Sequence, residues 1–177
     1  LYFTIAVLFF IIYNFIVSNK KKEFFIAFSY CVMGLLMVMP QVLPSLEFYT
    51  LSNRSELFQK MEAIPIQYLI SFFSPDFFGN PVTRNDWFGH YAEWNGFVGV
   101  IPLSLAIFAI LFKRNKKTSY FVLLAFMALL LAFDTPFLTL LVNLKVPVLS
   151  TRAASKIIVL FSFAIAVLAG FGWDFLF

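Results

Sequence analysis

Charged side chains are scarce in this sequence. They make up 12% of its 177 residues, whereas hydrophobic residues make up 62% and aromatic residues 20%. A typical soluble domain is about half apolar and about a quarter charged. So few charges exclude an ordinary water-soluble fold. The formal net charge of +4 does not indicate nucleic acid as a partner, because most basic residues sit in tight clusters between apolar runs.

Cysteine and histidine each occur once, as Cys31 and His90. A single cysteine excludes an intramolecular disulfide and a cysteine-based metal site. One histidine beside acids at no ligand spacing is a weak metal signal, so no metal site is predicted. No cofactor is evident, and no motif in the sequence supports a divalent metal. Phosphate-binding glycine loops and nucleophile elbows are also absent, which excludes the common soluble-enzyme templates.

Neither end of the chain has a polar tail. It opens with Leu1 rather than Met, runs directly into apolar sequence and ends at Phe177. No basic n-region precedes the first apolar run and no small-residue cleavage site closes it, so the run does not resemble a signal peptide. We therefore expect a fragment of a longer chain, with a first membrane span at its start.

Long apolar runs are what the sequence has in abundance. A membrane-spanning helix needs about 20 mostly apolar residues, because the hydrocarbon layer is about 30 Å thick. The segments that meet or approach this length are 1–18, 24–43, 96–112, 118–133 and 157–173. The sequence therefore predicts an all-α fold, a polytopic transmembrane helix bundle that forms a single domain over residues 1–177.

Basic clusters predict the orientation of these spans. Lys20–Lys22 and Lys113–Lys117 fall on the same side if consecutive spans alternate in direction. Basic clusters next to spans favour the cytoplasmic side. The predicted location is the cytoplasmic (inner) membrane with multiple passes, and loops 44–95 and 134–156 are extracytoplasmic.

Both outer loops are predicted to contain short interfacial helices. Pro65 suits the first turn of a helix that runs to Phe73, and turn residues follow at 74–81. In the second loop, Asp134-Thr135-Pro136 is a cap followed by a first-turn proline. Both helices are too short to span a bilayer.

A polar and aromatic segment, residues 86–96, precedes the third span. Its tryptophans suit an aromatic belt at headgroup depth. Glu93 and Asn95 lie beside Gly96 and Gly99, which indicates a tight turn that exposes polar groups at a pocket. We predict that these two polar residues contribute to a binding site.

Two cations stand at the outer entrance of the fifth span. Arg152 and Lys156 are four residues apart and so share one face of a helix that Ser150 or Thr151 can cap. Cations at a helix N-terminus oppose the macrodipole, so stability gives little reason for them. Two interpretations remain open: an anion site for a phosphate at headgroup depth, and ordinary snorkelling of basic side chains toward lipid headgroups.

Four motifs in order carry a family resemblance. They are Pro40–Glu47, Phe73–Gly79, Glu93–Gly99 and Val146–Lys156, the last leading into Ala169–Asp174. With this order and spacing over most of its length, the chain resembles the bacterial YfhO family. The family pattern has proline and arginine where this chain has Ala154-Ser155-Lys156, and lysine keeps the charge but loses the bidentate fork of arginine.

The YfhO family is similar to the GT-C class of membrane glycosyltransferases. The resemblance implies transfer of a sugar from a polyprenyl-phosphate donor to a cell-envelope acceptor on the outer face of the cytoplasmic membrane. In such enzymes the catalytic carboxylate usually lies in a first outer loop, which this fragment is expected to lack, so the catalytic residue is unknown. The substrate-binding candidates are Glu47, Asp76, Glu93, Asn95, Arg152 and Lys156.

The implied partners are the lipid bilayer, a polyprenyl-phosphate sugar and a cell-wall polymer or other glycan acceptor. Two other functions stay open: a transporter or flippase for a lipid-linked glycan, and a non-catalytic membrane protein of envelope assembly. The interiors of the predicted spans carry almost no ionisable residues, which disfavours ion-coupled transport. A GT-C-type glycosyltransferase is the leading hypothesis.

Overall fold

The structure is a computed structural model that describes residues 2–18, 21–51, 63–80, 82, 91–144 and 154–177. Its regular elements are α1 (Tyr2–Ser18), α2 (Lys21–Leu51), a 3₁₀ helix (Ile66–Phe72), α3 (Tyr91–Trp94), α4 (Val100–Phe112), α5 (Lys116–Ala132), α6 (Pro136–Asn143), a second 3₁₀ helix (Ala154–Ile157) and α7 (Ile158–Leu176). The described residues form no strand, only an isolated bridge. The predicted all-α class is confirmed.

The chain divides into two compact units, Leu1–Lys60 and Met61–Phe177. In the first unit α1 packs against α2, and the rings of Phe15 and Phe24 lie 4.7 Å apart. Asn14, a polar residue inside the first predicted span, donates from Nδ2 to the Phe10 carbonyl at 2.9 Å. Its amide therefore satisfies a donor within its own helix, which suits an apolar surrounding.

α2 is longer than the sequence predicted. The second span was expected to end before Pro44, with an outer loop from residue 44, but the helix continues to Leu51 and contains Pro40 and Pro44. A proline in a helix removes one backbone donor. The Ser45 hydroxyl donates to the Gln41 carbonyl at 2.7 Å and so supplies a further hydrogen bond beside Pro44. The carbonyl that Pro44 leaves without its helical donor is that of Pro40, four residues earlier.

The core of the second unit is formed by α4, α5 and α7. Lys113, which follows α4, lies 4.0 Å from Asp174 near the end of α7. Phe72 stacks on Phe161 at the start of α7 and meets Phe133 at the end of α5 edge-on. α4 and α7 therefore run parallel, and α5 runs antiparallel to both. The turn 113–117 lies at one end of the bundle, and the described residues 63–80, 91–95 and 134–144 of the second unit lie toward the other.

The contact between α4 and α7 is a close backbone approach. A Cβ atom on Gly172 would lie 2.1 Å from the carbonyl oxygen of Leu105. Ala106, Ala109 and Ala164 are fully buried in the same core. Small residues are what allows helices to pack this closely.

α4 begins later than predicted. The third span was expected at 96–112, but the helix starts at Val100 and has 13 residues, a length of about 20 Å. Gly99 has φ +93°, a non-helical conformation that favours glycine. The helix therefore begins only after this residue. The Asn95 side chain accepts from the Phe97 backbone N–H at 2.9 Å, which fixes a turn just before it.

The short helices of the second unit begin where the sequence predicted. The 3₁₀ helix Ile66–Phe72 starts directly after Pro65. Thr135 caps α6: its hydroxyl accepts from the Leu138 N–H at 3.2 Å, and Pro136 occupies the first turn. The other predicted helices have slightly shifted ends, with α5 at Lys116–Ala132 and α7 beginning at Ile158.

Two described helical stretches are long and apolar enough to cross a membrane, Phe24–Ser45 and Ser155–Leu176. Each has 22 residues, or about 33 Å of helix, against a hydrocarbon layer of about 30 Å. In the most apolar part of the first stretch no residue is buried, whereas in that of the second stretch half of the residues are buried. Ala6–Val17 and Val100–Phe112 are shorter apolar helices.

Candidate functional site

The sequence-predicted polar residues of the second unit meet around α3. This helix has only four residues, Tyr91–Trp94, and it contacts the 3₁₀ helix Ala154–Ile157. Tyr91 and Glu93 are two positions apart and so point to opposite sides of the helix. Each side carries one polar contact to a distant segment of the chain.

On one side, Tyr91 joins Asp76 to Asn95. The Tyr91 hydroxyl donates to Asp76 Oδ1, across 15 residues of sequence. This hydrogen bond, with desolvation and the Asp76 charge as smaller causes, raises the pKa of Tyr91, while a hydrogen bond with the Asn95 side chain acts in the opposite direction. The phenol is therefore held protonated: its O–H is directed at the Asp76 carboxylate, and its oxygen is close to the Asn95 side chain.

On the other side, Glu93 faces Lys156. Lys156 Nζ lies 3.9 Å from Glu93 Oε1, and their side chains are 57% and 42% exposed. An exposed pair of this kind stabilises a fold by only about 0–1 kcal/mol. The neighbouring Ser155 is fully buried, so it holds the 3₁₀ turn in the core while Lys156 reaches outward. The pair costs little to open, and an incoming anion or hydroxyl can exchange for one partner.

An aromatic cluster lies beneath α3. The ring of Tyr68 stacks on Phe78 with centroids 4.6 Å apart, and Trp94 meets the same ring edge-on at 5.1 Å. Tyr68 is only 3% exposed, and desolvation raises the pKa of its phenol. This cluster anchors α3 through Trp94 and presents a rigid support for the polar residues above it.

Gly96 supports the same region from the other direction. A Cβ atom here would lie 2.0 Å from the Phe72 ring, and that ring is itself stacked on Phe161 with centroids 4.8 Å apart. The ring therefore has little freedom to move aside. The close approach explains why glycine follows Asn95, and it fixes the start of the segment that leads into α4.

Four of the six predicted substrate-binding residues make contacts around α3. Asp76 and Asn95 both contact Tyr91. Glu93 lies opposite Lys156. Glu47 does not lie in an outer loop: it is an exposed residue of α2 in the first unit. Arg152 lies outside the described residues, as do the capping candidates Ser150 and Thr151. Lys156 belongs to the 3₁₀ helix Ala154–Ile157 that precedes α7, and the face that it was expected to share with Arg152 stays a prediction.

An open groove of about 730 Å³ lies on α6. It is lined by Asp134, Thr135, Pro136, Thr139, Leu140, Asn143 and Leu144. None of the sequence-predicted site residues lines this groove. Volume alone therefore does not locate the candidate site, and the convergence of polar groups on α3 is the stronger indication.

Sequence reasoning did not assign Tyr91 a role. The spacing of four residues between Tyr91 and Asn95 was the available signal, since residues at i and i+4 meet on one helix face. Among the described residues, no group of three or more metal-ligating side chains is found.

Comparisons with known proteins return no relative. No protein-family model matches the chain, and neither a curated protein nor a solved structure is significantly similar to it.

Proposed function

We propose that this chain is part of a multi-pass membrane protein of the cytoplasmic membrane whose α3 end faces outward. The support is the exposed apolar helix Phe24–Ser45 together with the polarity of the second unit. Four basic residues lie at one end of α4, α5 and α7, and the α3 region lies at the other. An uncovered helix of that length in water is unfavourable, whereas a bilayer covers it.

α4 alone is too short to cross a bilayer at 13 residues, or about 20 Å. The non-helical segment 96–99 precedes it. Non-helical backbone at membrane depth is tolerated where protein covers it, and Gly96 is buried. In this proposal the segment 96–112 therefore crosses as a short non-helical entry followed by a helix.

The function we propose is transfer of a sugar from a polyprenyl-phosphate donor to a cell-envelope acceptor, as the resemblance to the YfhO family implies. The observation that carries it is the pairing of Glu93 with Lys156 beside the Asp76–Tyr91–Asn95 contacts. Carboxylates and amides bind sugar hydroxyls, and a lysine binds phosphate as a point charge. The α3 region offers both chemistries within one short helix and its neighbours.

Ion-coupled transport of a lipid-linked glycan has weaker support. Residues 100–112, 119–133 and 157–173 contain no Asp, Glu, Lys, Arg or His. Coupled transporters usually carry such residues at mid-membrane depth.

The test is complementation in the full-length protein. Deletion of the complete gene should remove a glycan modification of the envelope, detected by glycan analysis. Glu93→Gln and Asn95→Ala should restore it at most weakly, at unchanged protein level. Thr139→Ala on α6 serves as a matched control for an exposed polar residue at the same end and should restore it fully. Wild-type glycosylation by both site variants would refute the assignment.

A further inference from the structure

The turn between α4 and α5 concentrates positive charge. Lys113, Arg114, Lys116 and Lys117 lie within 113–117, and we call them the basic turn. Asp174 Oδ2 lies 4.0 Å from Lys113 Nζ. Arg114 and Lys117 are exposed and form no ion pair with any residue in the described part of the chain. Two of the four cations, Arg114 and Lys117, therefore have no carboxylate partner among the described residues.

The basic turn is rigidly placed. Lys113 Nζ donates to the Phe171 carbonyl at 3.4 Å and lies 5.3 Å above the Phe171 ring. Asn115 caps α5: its side chain accepts from the Thr118 N–H at 2.7 Å. These contacts fix the turn to both α7 and α5, so its charged groups have a defined position in the second unit.

Fold stability does not explain the placement of these cations. Lys116 and Lys117 occupy the first turn of α5, where positive charge opposes the helix dipole at a cost in free energy. Mutual repulsion within the turn adds to that cost. An external anion removes both penalties.

Exposed aromatic and aliphatic side chains surround the basic turn. Phe112 is 58% exposed directly before it, and Trp173 and Phe177 are 55% and 88% exposed at the end of α7. Their rings lie close together, with 4.4 Å between the centroids of Trp173 and Phe177. A cationic rim next to an exposed aromatic band is the composition of a surface that contacts headgroups and acyl chains together.

We propose that the basic turn binds the phosphate headgroups of anionic phospholipids, through Arg114 and Lys117 above all. Arginine pairs with two phosphate oxygens through its planar fork, and lysine adds a point charge. Lys113 is held by Asp174 and Phe171 and positions the turn. This inference rests on the proposed membrane placement and is independent of the proposed sugar transfer.

The test places the purified full-length protein in two kinds of nanodisc, one of phosphatidylcholine alone and one of phosphatidylcholine mixed with phosphatidylglycerol. Native mass spectrometry then identifies the lipids that the protein retains. The wild type should retain phosphatidylglycerol preferentially. Arg114→Gln with Lys117→Gln should weaken that retention about thirty-fold, because each cation near the surface contributes about 1 kcal/mol. The swap Arg114→Lys with Lys117→Arg keeps the charge and should retain most of the preference.

Lys60→Gln with Arg84→Gln removes the same charge from the predicted outer loop and should leave the preference unchanged. A double variant of the turn that keeps its preference, or an outer-loop control that loses as much, would overturn the proposal. If the turn variant does not fold, salt titration of the wild type decides, since a preference insensitive to salt contradicts a phosphate contact. Failure of the wild type to enter any nanodisc would instead refute the membrane placement.

Discussion

At the residue scale, α3 separates its polar groups by helix geometry. Tyr91 and Glu93 face opposite sides, so the candidate site consists of two neighbouring contacts that can act independently. Asp76 accepts a hydrogen bond from the neutral Tyr91 phenol, whereas Glu93 and Lys156 form an exposed ion pair. A sugar hydroxyl suits the first contact and a phosphate suits the second.

The Asp76–Tyr91 contact predicts a measurable titration. Its hydrogen bond raises the pKa of Tyr91 above the ordinary value of 10.0. A raised folded-state pKa means that the contact contributes stability below pH 10 and loses it as the pH rises through the folded value. Ultraviolet difference titration of the wild type against Tyr91→Phe should show this phenol ionising late.

Asp76→Asn is the matched variant for this titration. It keeps the shape of the side chain but removes the carboxylate, which is the main cause of the shift. The Tyr91 phenol should then ionise at lower pH than in the wild type. An identical curve in Asp76→Asn would contradict the assigned contact.

The sequence identified some of these residues and not others. Glu93 and Asn95 stood out because they precede two glycines, and Lys156 because it opposes a helix dipole. The bond between Asp76 and Tyr91 could not be predicted, because it joins residues 15 apart through tertiary packing rather than local spacing. Arg152 was predicted on the same reasoning as Lys156, and that residue stays a prediction.

At the element scale, α7 offers a matched pair of glycines two positions apart. A Cβ on Gly172 would meet the Leu105 carbonyl oxygen at 2.1 Å, whereas Gly170 has nothing within 4 Å. Gly172→Ala should lower the free energy of unfolding by about 1–3 kcal/mol, as overpacking does. Gly170→Ala should leave it unchanged or raise it by about 0.5–1 kcal/mol, because alanine is the better helix former.

Thermal and denaturant unfolding in detergent measure this difference, with helix content as the readout. Equal destabilisation by both substitutions would mean that the α4–α7 approach is not the origin of the effect. A destabilised Gly170→Ala alone would place the tight contact on the other face of α7.

Helix ends were predictable where a local signal fixes them. Pro65 and the Thr135-Pro136 pair mark helix starts correctly, because capping and proline geometry act within a few residues. Pro44 gave the wrong end for α2, since the helix continues through both Pro40 and Pro44 to Leu51. The late start of α4 depends on Gly99 adopting positive φ, which composition alone does not reveal.

At the scale of the whole molecule, the parallel course of α4 and α7 predicts which residues share a side of the membrane. In a Cys31→Ser background, Thr139→Cys and Lys116→Cys place single exposed thiols at opposite ends of the second unit. An impermeant maleimide should label Thr139→Cys in intact cells and Lys116→Cys only after permeabilisation. The reverse pattern would invert the proposed topology and the proposed function with it.

Composition predicted the all-helical class correctly, because long apolar runs with few turn residues between them favour helices over other secondary structure. The number of spans is harder to predict. Residues 96–112 and 118–133 contain enough apolar sequence, but helix length depends on where caps and glycines fall. Two described stretches, Phe24–Ser45 and Ser155–Leu176, have the required length as helices, and the remaining spans belong to the proposal.

The isolated pairing of Ile64 with Phe133 also has a kinetic consequence. The Ile64 N–H donates to the Ala132 carbonyl, and the Asp134 N–H donates to the Ile64 carbonyl, both at 2.9 Å, and Ile64 is fully buried. Amide protons in such a bridge exchange with solvent only when both partners separate. The segment after Ile64 and the last turn of α5 should therefore open as one cooperative event, and α3, whose Trp94 packs on Tyr68 of that segment, should open with them.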